Sequence, residues 1–516
     1  MRLYAYVAAF LSVLVAPFVL HVMFADRQQR PLRTGEVLEL RIMTPNNQDI
    51  RHVFERAFAD WHRERFGRAV ALTYLSPGSG TNDIVRLLRD LYGRYRDKDG
   101  QLLPEEQVEP GIDIVWGGGD YTFERDFKPF LKPLALPPGL LAEVFPSVDL
   151  AGVALLDPAA RGGVAPRWVG VVLSSFGLIY APEFYERLQL PAPESWNDLA
   201  RPELKGLLAL ADPTRSGSAA VAYMMVLQRA MESAEHSWLG AHPELGKEVR
   251  PEHEQLASYR EAMSGGWKEG MGTLLLMAAN ARYFGDSGSR PCVDVGDAEA
   301  AAGVAIDFYA RVFQEQIGKR RITYYAPRGA TAITPDPIGI LYGTRGEREL
   351  LANRFVEFLL SPEGQRLWNL DAGQSPYVPR SLRRMPVRRD VYADRTGWAD
   401  DENPFETAQG FNLRQRWMRQ LGRLVPIWAA AWIDGKPDLD RAYAAVLAVR
   451  EPARRERLRQ RLAALPIELT ELSAPGVPPG GAREDARLRV ARERMDWSAR
   501  FRAHYQQVQH AAQEGG

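Results

Sequence analysis

Gly- and hydroxyl-rich turns carry most of the chemistry that the side chains of this 516-residue chain could perform. Residues 212–218 read Asp-Pro-Thr-Arg-Ser-Gly-Ser and follow a short apolar run, 207–211, of buried-strand type. A polar loop that leaves a strand and opens a helix offers free amides and hydroxyls, the means by which α/β proteins hold small anionic or polar ligands. Ser216, Gly217 and Ser218 are therefore candidate ligand contacts. Ser79, Gly80 and Thr81 open another helix in the same manner, although an ordinary helix entry would need those glycines too. Thr44 follows one apolar strand, and Gly118 and Asp120 follow another (Gly117-Gly-Gly-Asp120). In a doubly wound sheet such loops converge at one edge. Ser174 and Ser175 lie between two apolar runs, and Asn280 and Arg282 lie in an otherwise apolar stretch, where they are candidates to face a cleft.

The totals limit what else the chain can be. It is long enough for about three or four domains. Lys plus Arg balance Asp plus Glu at 65 each, so no bulk field draws the protein to nucleic acid or acidic lipid. The single cysteine, Cys292, excludes an internal disulfide and a multi-thiolate metal site. No phosphate-loop lysine, zinc motif, nucleophile elbow or paired-carboxylate signature is present, so neither an enzyme nor a cofactor is expected.

Residues 3–24 are uncharged and mostly apolar, long enough to cross a bilayer, with a poor cleavage site because Met23 occupies a position that should be small. An uncleaved N-terminal transmembrane anchor is expected. The flanking charges, Arg2 before and Arg27, Arg30 and Arg33 after, leave its orientation open.

Alternation over 36–43 reads as a strand, and Phe54, Ala57, Phe58 and Trp61 place 46–65 in an amphipathic helix. Strands at 69–75 and 112–116 flank a second helix, so a parallel sheet covered on both faces is expected. Two short strands are expected over 168–180, with Ser174-Ser175 between them. Ser195 and Asp198 form a capping box, and Pro202 and Gly206 end the short helix it starts. Strands at 322–325 and 338–342 precede a helix at 345–360. Beyond about residue 380 the chain is Arg-rich with few strand signals; Val490, Trp497, Phe501 and Tyr505 make a stripe expected to pack against its own protein.

Four stretches, 193–218, 296–309, 326–341 and 352–365, resemble in order and spacing the extracellular solute-binding proteins of bacterial ABC importers, in the ferric-iron-type branch of type II periplasmic binding proteins. The resemblance implies two α/β lobes joined by two crossing strands, near 168–173 and 322–325, with the ligand between the lobes. Lobe one would be 34–167 plus 321–378 and lobe two 168–320, between a membrane anchor and linker (1–33) and a helical C-terminal extension (379–516). Ferric binders of this type place two adjacent tyrosines where this chain has Phe308 and Tyr309. Phe308 has no donor, so a bare ferric site is incomplete, no metal is expected, and Asp307 and Tyr309 are left to meet polar ligand groups.

The implied function is capture of a small anionic or polyoxygenated solute and its delivery to an ABC permease in the inner membrane. The protein would sit at the periplasmic face, held by the N-terminal helix, or free in the periplasm if that helix is cleaved. Iron(III) capture is one alternative. A membrane-tethered sensor or scaffold of the same fold, motivated by the anchor and the long tail, is another.

Overall fold

The computed structural model describes residues 37–514 except 76–79, 247, 409–410, 412 and 474–482. Residues 3–24, read as an anchor, and Ser79 lie outside the described residues. Among the described residues no helix is long and apolar enough to cross a membrane.

The first half follows from its apolar spacing. β1 (Leu38–Met43) buries Leu38, Leu40 and Ile42. α1 (Gln48–Phe66) starts at Asn47, whose side chain accepts the Ile50 amide, and stops at Gly67 in the left-handed region. β2 (Val70–Leu75) lies parallel to β1, α2 (Thr81–Gly93) follows, and β3 (Ile114–Trp116) lies parallel along the other side of β1. β4 (Val169–Tyr180) is buried along nearly its whole length.

The second half holds β5 (Leu208–Ala211), α3 (Gly217–Ala241), α4 (Ala257–Asn280), β6 (Ala281–Gly285), β7 (Ala302–Ile306), α5 (Asp307–Ile317) and β8 (Thr323–Tyr325). β9 (Ile333–Ile340), α6 (Glu347–Leu360) and β10 (Met385–Pro386) return to the first half. The strand order is β2-β1-β3-β9-β4-β7-β5-β6, with β8 and β10 also paired to β4.

β4 belongs to both halves. Its residues 169–175 pair antiparallel with β9, and 176–180 pair antiparallel with β7. The two short strands expected here are therefore one, because Ser174 and Ser175 keep ladder partners in Thr334 and Ile333. What changes at the serines is the neighbour, not the strand. The return crossing also differs from expectation. β8 is still in the second half, paired with Leu178–Tyr180, so the chain crosses between 326 and 332. The strand expected at 338–342 begins earlier, at Ile333, where Pro335 and Pro337 obscure it: proline cannot donate to a ladder. A register shift between Asp336 and Pro337 accommodates them.

The two largest apolar cores lie mainly one in each half. Phe54, Trp116, Phe355 and Trp368 anchor the first, with the Phe54 ring centroid 4.2 Å from that of Trp368 and 5.6 Å from that of Trp116. The second lies between α3 and α4 and continues into the C-terminal region: α7 (Leu421–Trp428), a π-turn (Ala429–Asp434), α8 (Lys436–Ala448), α9 (Pro452–Ala463) and α10 (Arg483–Gln513). Trp428 lies 6.0 Å from Tyr223 edge-on and donates to Met271 Sδ at 3.3 Å. Phe501 and Tyr505 of α10 are wholly buried in this core. Cys292 is also wholly buried, and burial pushes its thiol well above the usual range.

Candidate functional site

A cavity of about 300 Å³ lies between the halves, where the ends of β1, β3, β5, β6, β7 and β9 meet. On the first-half side, Gly117, Gly118 and Gly119 leave β3 with φ of +89°, +113° and +81°, a run of left-handed residues that turns successive amides the same way. A Cβ on Gly118 would stand 2.5 Å from Thr81 Cγ2, so close approach to α2 also requires glycine there. The amides of Gly118 and Gly119 donate to Asp336 Oδ1 at 2.7 and 3.2 Å. Asp120 follows, buried; desolvation pushes its carboxyl up to about 7, opposed by the amides of Tyr121 and Asp120 and aided by Asp336 and Glu124. Asn46 is buried at the same wall, and its Nδ2 finds no hydrogen-bond partner among the described residues.

The second-half wall is made of hydroxyls. Ser216 caps α3, accepting the Ala219 amide at 3.2 Å, and lies 3.3 Å from Ser218 Oγ. The Ser287 and Ser289 hydroxyls lie 3.2 Å apart, and a Cβ on Gly288 would come within 3.2–3.3 Å of Ser218 and Ser216. Arg215, more than half exposed, adds a cation at the rim, 3.6 Å from Asp286. The first four amides of a helix have no partner within it, and the α3 dipole favours negative charge at this end.

The floor is formed by Arg384, only 2% exposed. Its Nη1 meets Asp336 Oδ2 at 3.0 Å, its Nη2 donates to Ser174 Oγ at 2.7 Å, and its guanidinium lies 4.4 Å from the Phe308 ring centroid. Tyr309 also lines the cavity, its phenol raised by burial.

Of the residues singled out in the sequence, Gly80, Thr81, Gly118, Asp120, Ser174, Ser216, Gly217, Ser218 and Tyr309 line this cavity. Five others lie outside its lining. Thr44 is buried behind Asn46, its Oγ1 accepting the Asn46 amide. Ser175 is turned the other way, its Oγ 3.2 Å from Asp307 and 2.9 Å from the Tyr324 hydroxyl. Asp307 is committed to the Ser175 amide at 3.0 Å and the Phe308 amide at 2.8 Å. Burial raises its carboxyl to about 6 despite neighbouring Arg311. Asn280 spends its amide on the carbonyls of Leu199 and Arg201, and Arg282 is exposed and paired with Glu299.

Asn46, Ser287, Ser289, Asp336 and Arg384 escaped the sequence reading. The 287–289 loop has the same grammar as 212–218, a strand followed by hydroxyls, glycine and a helix. Asp336 carried a signal in its two flanking prolines. Arg384 carried none, since only its pairing through β10 with β4 brings it to the floor. Among the described residues no three His, Cys, Asp or Glu side chains group to hold a metal.

Residues 165–400 match the family model for bacterial extracellular solute-binding proteins. The phosphoglycerate transport regulatory protein PgtC of Salmonella typhimurium is 26% identical over 237 residues, 44% of this chain and 49% of that protein. The chain thus spans about half the length of the curated relatives it matches. Among solved structures, the periplasmic binding protein P5PA has a TM-score of 0.51 at 16% identity, covering 77% of this chain and 99% of that one. AfuA from Actinobacillus pleuropneumoniae, solved with fructose-6-phosphate, has a TM-score of 0.52 at 16% identity, covering 77% and 98%. At that identity the likeness is one of fold. The matched segment is thus similar to bacterial extracellular solute-binding proteins, and the fold is that of solved periplasmic binding proteins.

Proposed function

We propose that the protein captures a small oxyanion-bearing solute, a phosphate ester in the first instance, between its two halves and presents it to an ABC permease from the periplasmic side. The observation that carries this reading is the convergence of Ser216, Ser218, Ser287, Ser289 and Arg215 on the N-terminus of α3 at one wall of the cavity. Opposite them Asn46 offers a buried donor without a partner among the described residues. Micromolar affinity corresponds to about 8 kcal/mol. Hydrogen bonds to a charged group contribute about 1.5–3 kcal/mol each, so four or five from both walls suffice and neither wall reaches that alone. Closure is supported by two contacts across the mouth: Asn82 Nδ2 donates to the Thr214 carbonyl at 2.8 Å, and Gly80 packs against the Arg215 carbonyl. In this reading lobe one is 34–175 with 333–386, lobe two is 176–325, and residues 1–33 tether the protein to the membrane.

The test is calorimetric titration with phosphate esters, phosphonates, carboxylates and ferric salts. A micromolar phosphate ester whose affinity falls by roughly tenfold or more in Arg215→Ala and in Ser216→Ala is the expected result. Binding of ferric ion with a visible absorption band, and of no oxyanion, would sink it.

One observation favours a second reading, solute sensing. Tyr121 lines the cavity, and its hydroxyl also approaches the backbone of Gly422 in α7. A Cβ on Gly422 would stand 2.9 Å from Arg125 Nη1 and 3.7 Å from that hydroxyl. The C-terminal helices thus touch the rim of the cleft, and a relative is named for transport regulation.

A further inference from the structure

The first-half wall of the cavity is built like an anion site, yet its donors are already engaged. The Gly118 and Gly119 amides converge on Asp336 Oδ1 at 2.7 and 3.2 Å, and Arg384 Nη1 meets Oδ2 at 3.0 Å. Arg384 is fixed from the other side by Ser174 Oγ and by the faces of Phe308 and Trp368, so it cannot swing away to another partner. The irregularity of β9 beside Pro337 delivers Asp336 into this cradle, and Asp336, Gly118, Gly119, Ser174 and Arg384 all face the cavity. On the hydroxyl wall around α3 the one carboxylate near the cation is Asp286, exposed at the rim 3.6 Å from Arg215, and among the described residues the serines bond chiefly to one another.

We infer that Asp336 is a specificity-determining residue, a resident carboxylate that fills the anion cradle of one wall so that the site takes solutes with one anionic end. The inference rests on the oxyanion-capture reading above and adds the arrangement of the solute within the cavity. The solute's anionic group lies on the serine wall with Arg215. Its far end meets Asp336, Asp120 and Asn46, which suit hydroxyl groups. A second anionic group at that end would find the Arg384 charge already neutralised and a carboxylate facing it. Replacing Asp336 by Asn turns an amide NH₂ toward Arg384 and frees the guanidinium for such a group.

The full chain and Asp336→Asn would be titrated with two probes of similar length, glycerol 3-phosphate and 3-phosphoglycerate. The wild type is expected to favour glycerol 3-phosphate by roughly tenfold or more, and the variant to shift the ratio toward 3-phosphoglycerate by at least as much. Equal affinities in the wild type, a preference for 3-phosphoglycerate, or an unchanged ratio in the variant would overturn the proposal. A second arm needs no solute. Asp336→Ala, melted in acetate and in chloride at equal ionic strength, is expected to gain several degrees from acetate, and the wild type none, because acetate replaces the missing carboxylate. Absence of that rescue in a folded Asp336→Ala overturns the cradle. If Asp336→Ala does not fold, the Asn variant's ratio decides. If neither phosphorylated probe binds the wild type, the capture reading fails for this solute class while the acetate arm still decides for Asp336.

Discussion

Two buried carboxylates in this chain look alike in sequence and do different work. Asp307 begins α5 and accepts the Ser175 amide and hydroxyl where β4 exchanges neighbours. Its removal takes the carboxylate acceptor from the Ser175 and Phe308 amides and leaves Arg311 without one of its opposing charges. Asp307→Ala is predicted to lower stability by about 2–4 kcal/mol in urea unfolding, with solute affinity changed little. An intact melting curve with lost affinity would instead put Asp307 at the solute. Asp120 faces the cavity and titrates near 7 in the folded protein against 3.8 for an unperturbed group. A raised carboxyl favours the protonated form of the folded state, so the stability it contributes is full below 3.8 and is lost as pH rises through about 7. Asp336 and Glu124 push in that direction, and the amides of Tyr121 and Asp120 push against it. Between pH 4 and pH 8 the wild type is therefore predicted to lose about 1–3 kcal/mol more stability than Asp120→Asn, read from paired denaturation curves. Parallel pH profiles would show that Asp120 is ionised throughout.

At the scale of elements, regular spacing was legible and exchange of partners was not. The alternation in 38–43 and the aromatic stripe of 54–61 predict β1 and α1 because each element buries one face of its own. The capping box of Ser195 and Asp198 is present as read, since both its bonds are local. The continuity of β4 through Ser174-Ser175 was hidden, because two hydroxyls in an apolar run look like a break unless the neighbouring strands are known. The start of β9 was hidden for a related reason, proline standing in a strand. Distance in the chain concealed Arg384, which arrives at the floor only through the two-residue strand β10. The C-terminal helices carried an amphipathic stripe but no hint of the surface it meets. Trp428 and Trp432 stack 5.8 Å apart against Tyr223 of α3, so these helices complete the core of the second half. Trp432→Ala is predicted to cost about 3–5 kcal/mol in thermal or urea unfolding. A loss near zero would mean that α7 and α8 rest on α3 without sharing its core.

At the scale of the whole molecule, the contacts across the cavity mouth make closure measurable. Gly80 has an extended backbone, φ −157°, that any residue can adopt, but a Cβ there would stand 2.7 Å from the Arg215 carbonyl. Gly80→Val is therefore predicted to hold the halves apart, with a larger radius of gyration in solution scattering, roughly tenfold weaker solute binding and an unchanged melting temperature. Unaltered scattering would mean that the two halves do not need this approach to shut. The chain also lends itself to watching that motion directly. Its only thiol, Cys292, is sealed in the interior and held protonated. Cysteines introduced on the outer faces of the two halves would thus take fluorescent dyes with almost no background, and the distance between donor and acceptor would report each opening and shutting of a single molecule.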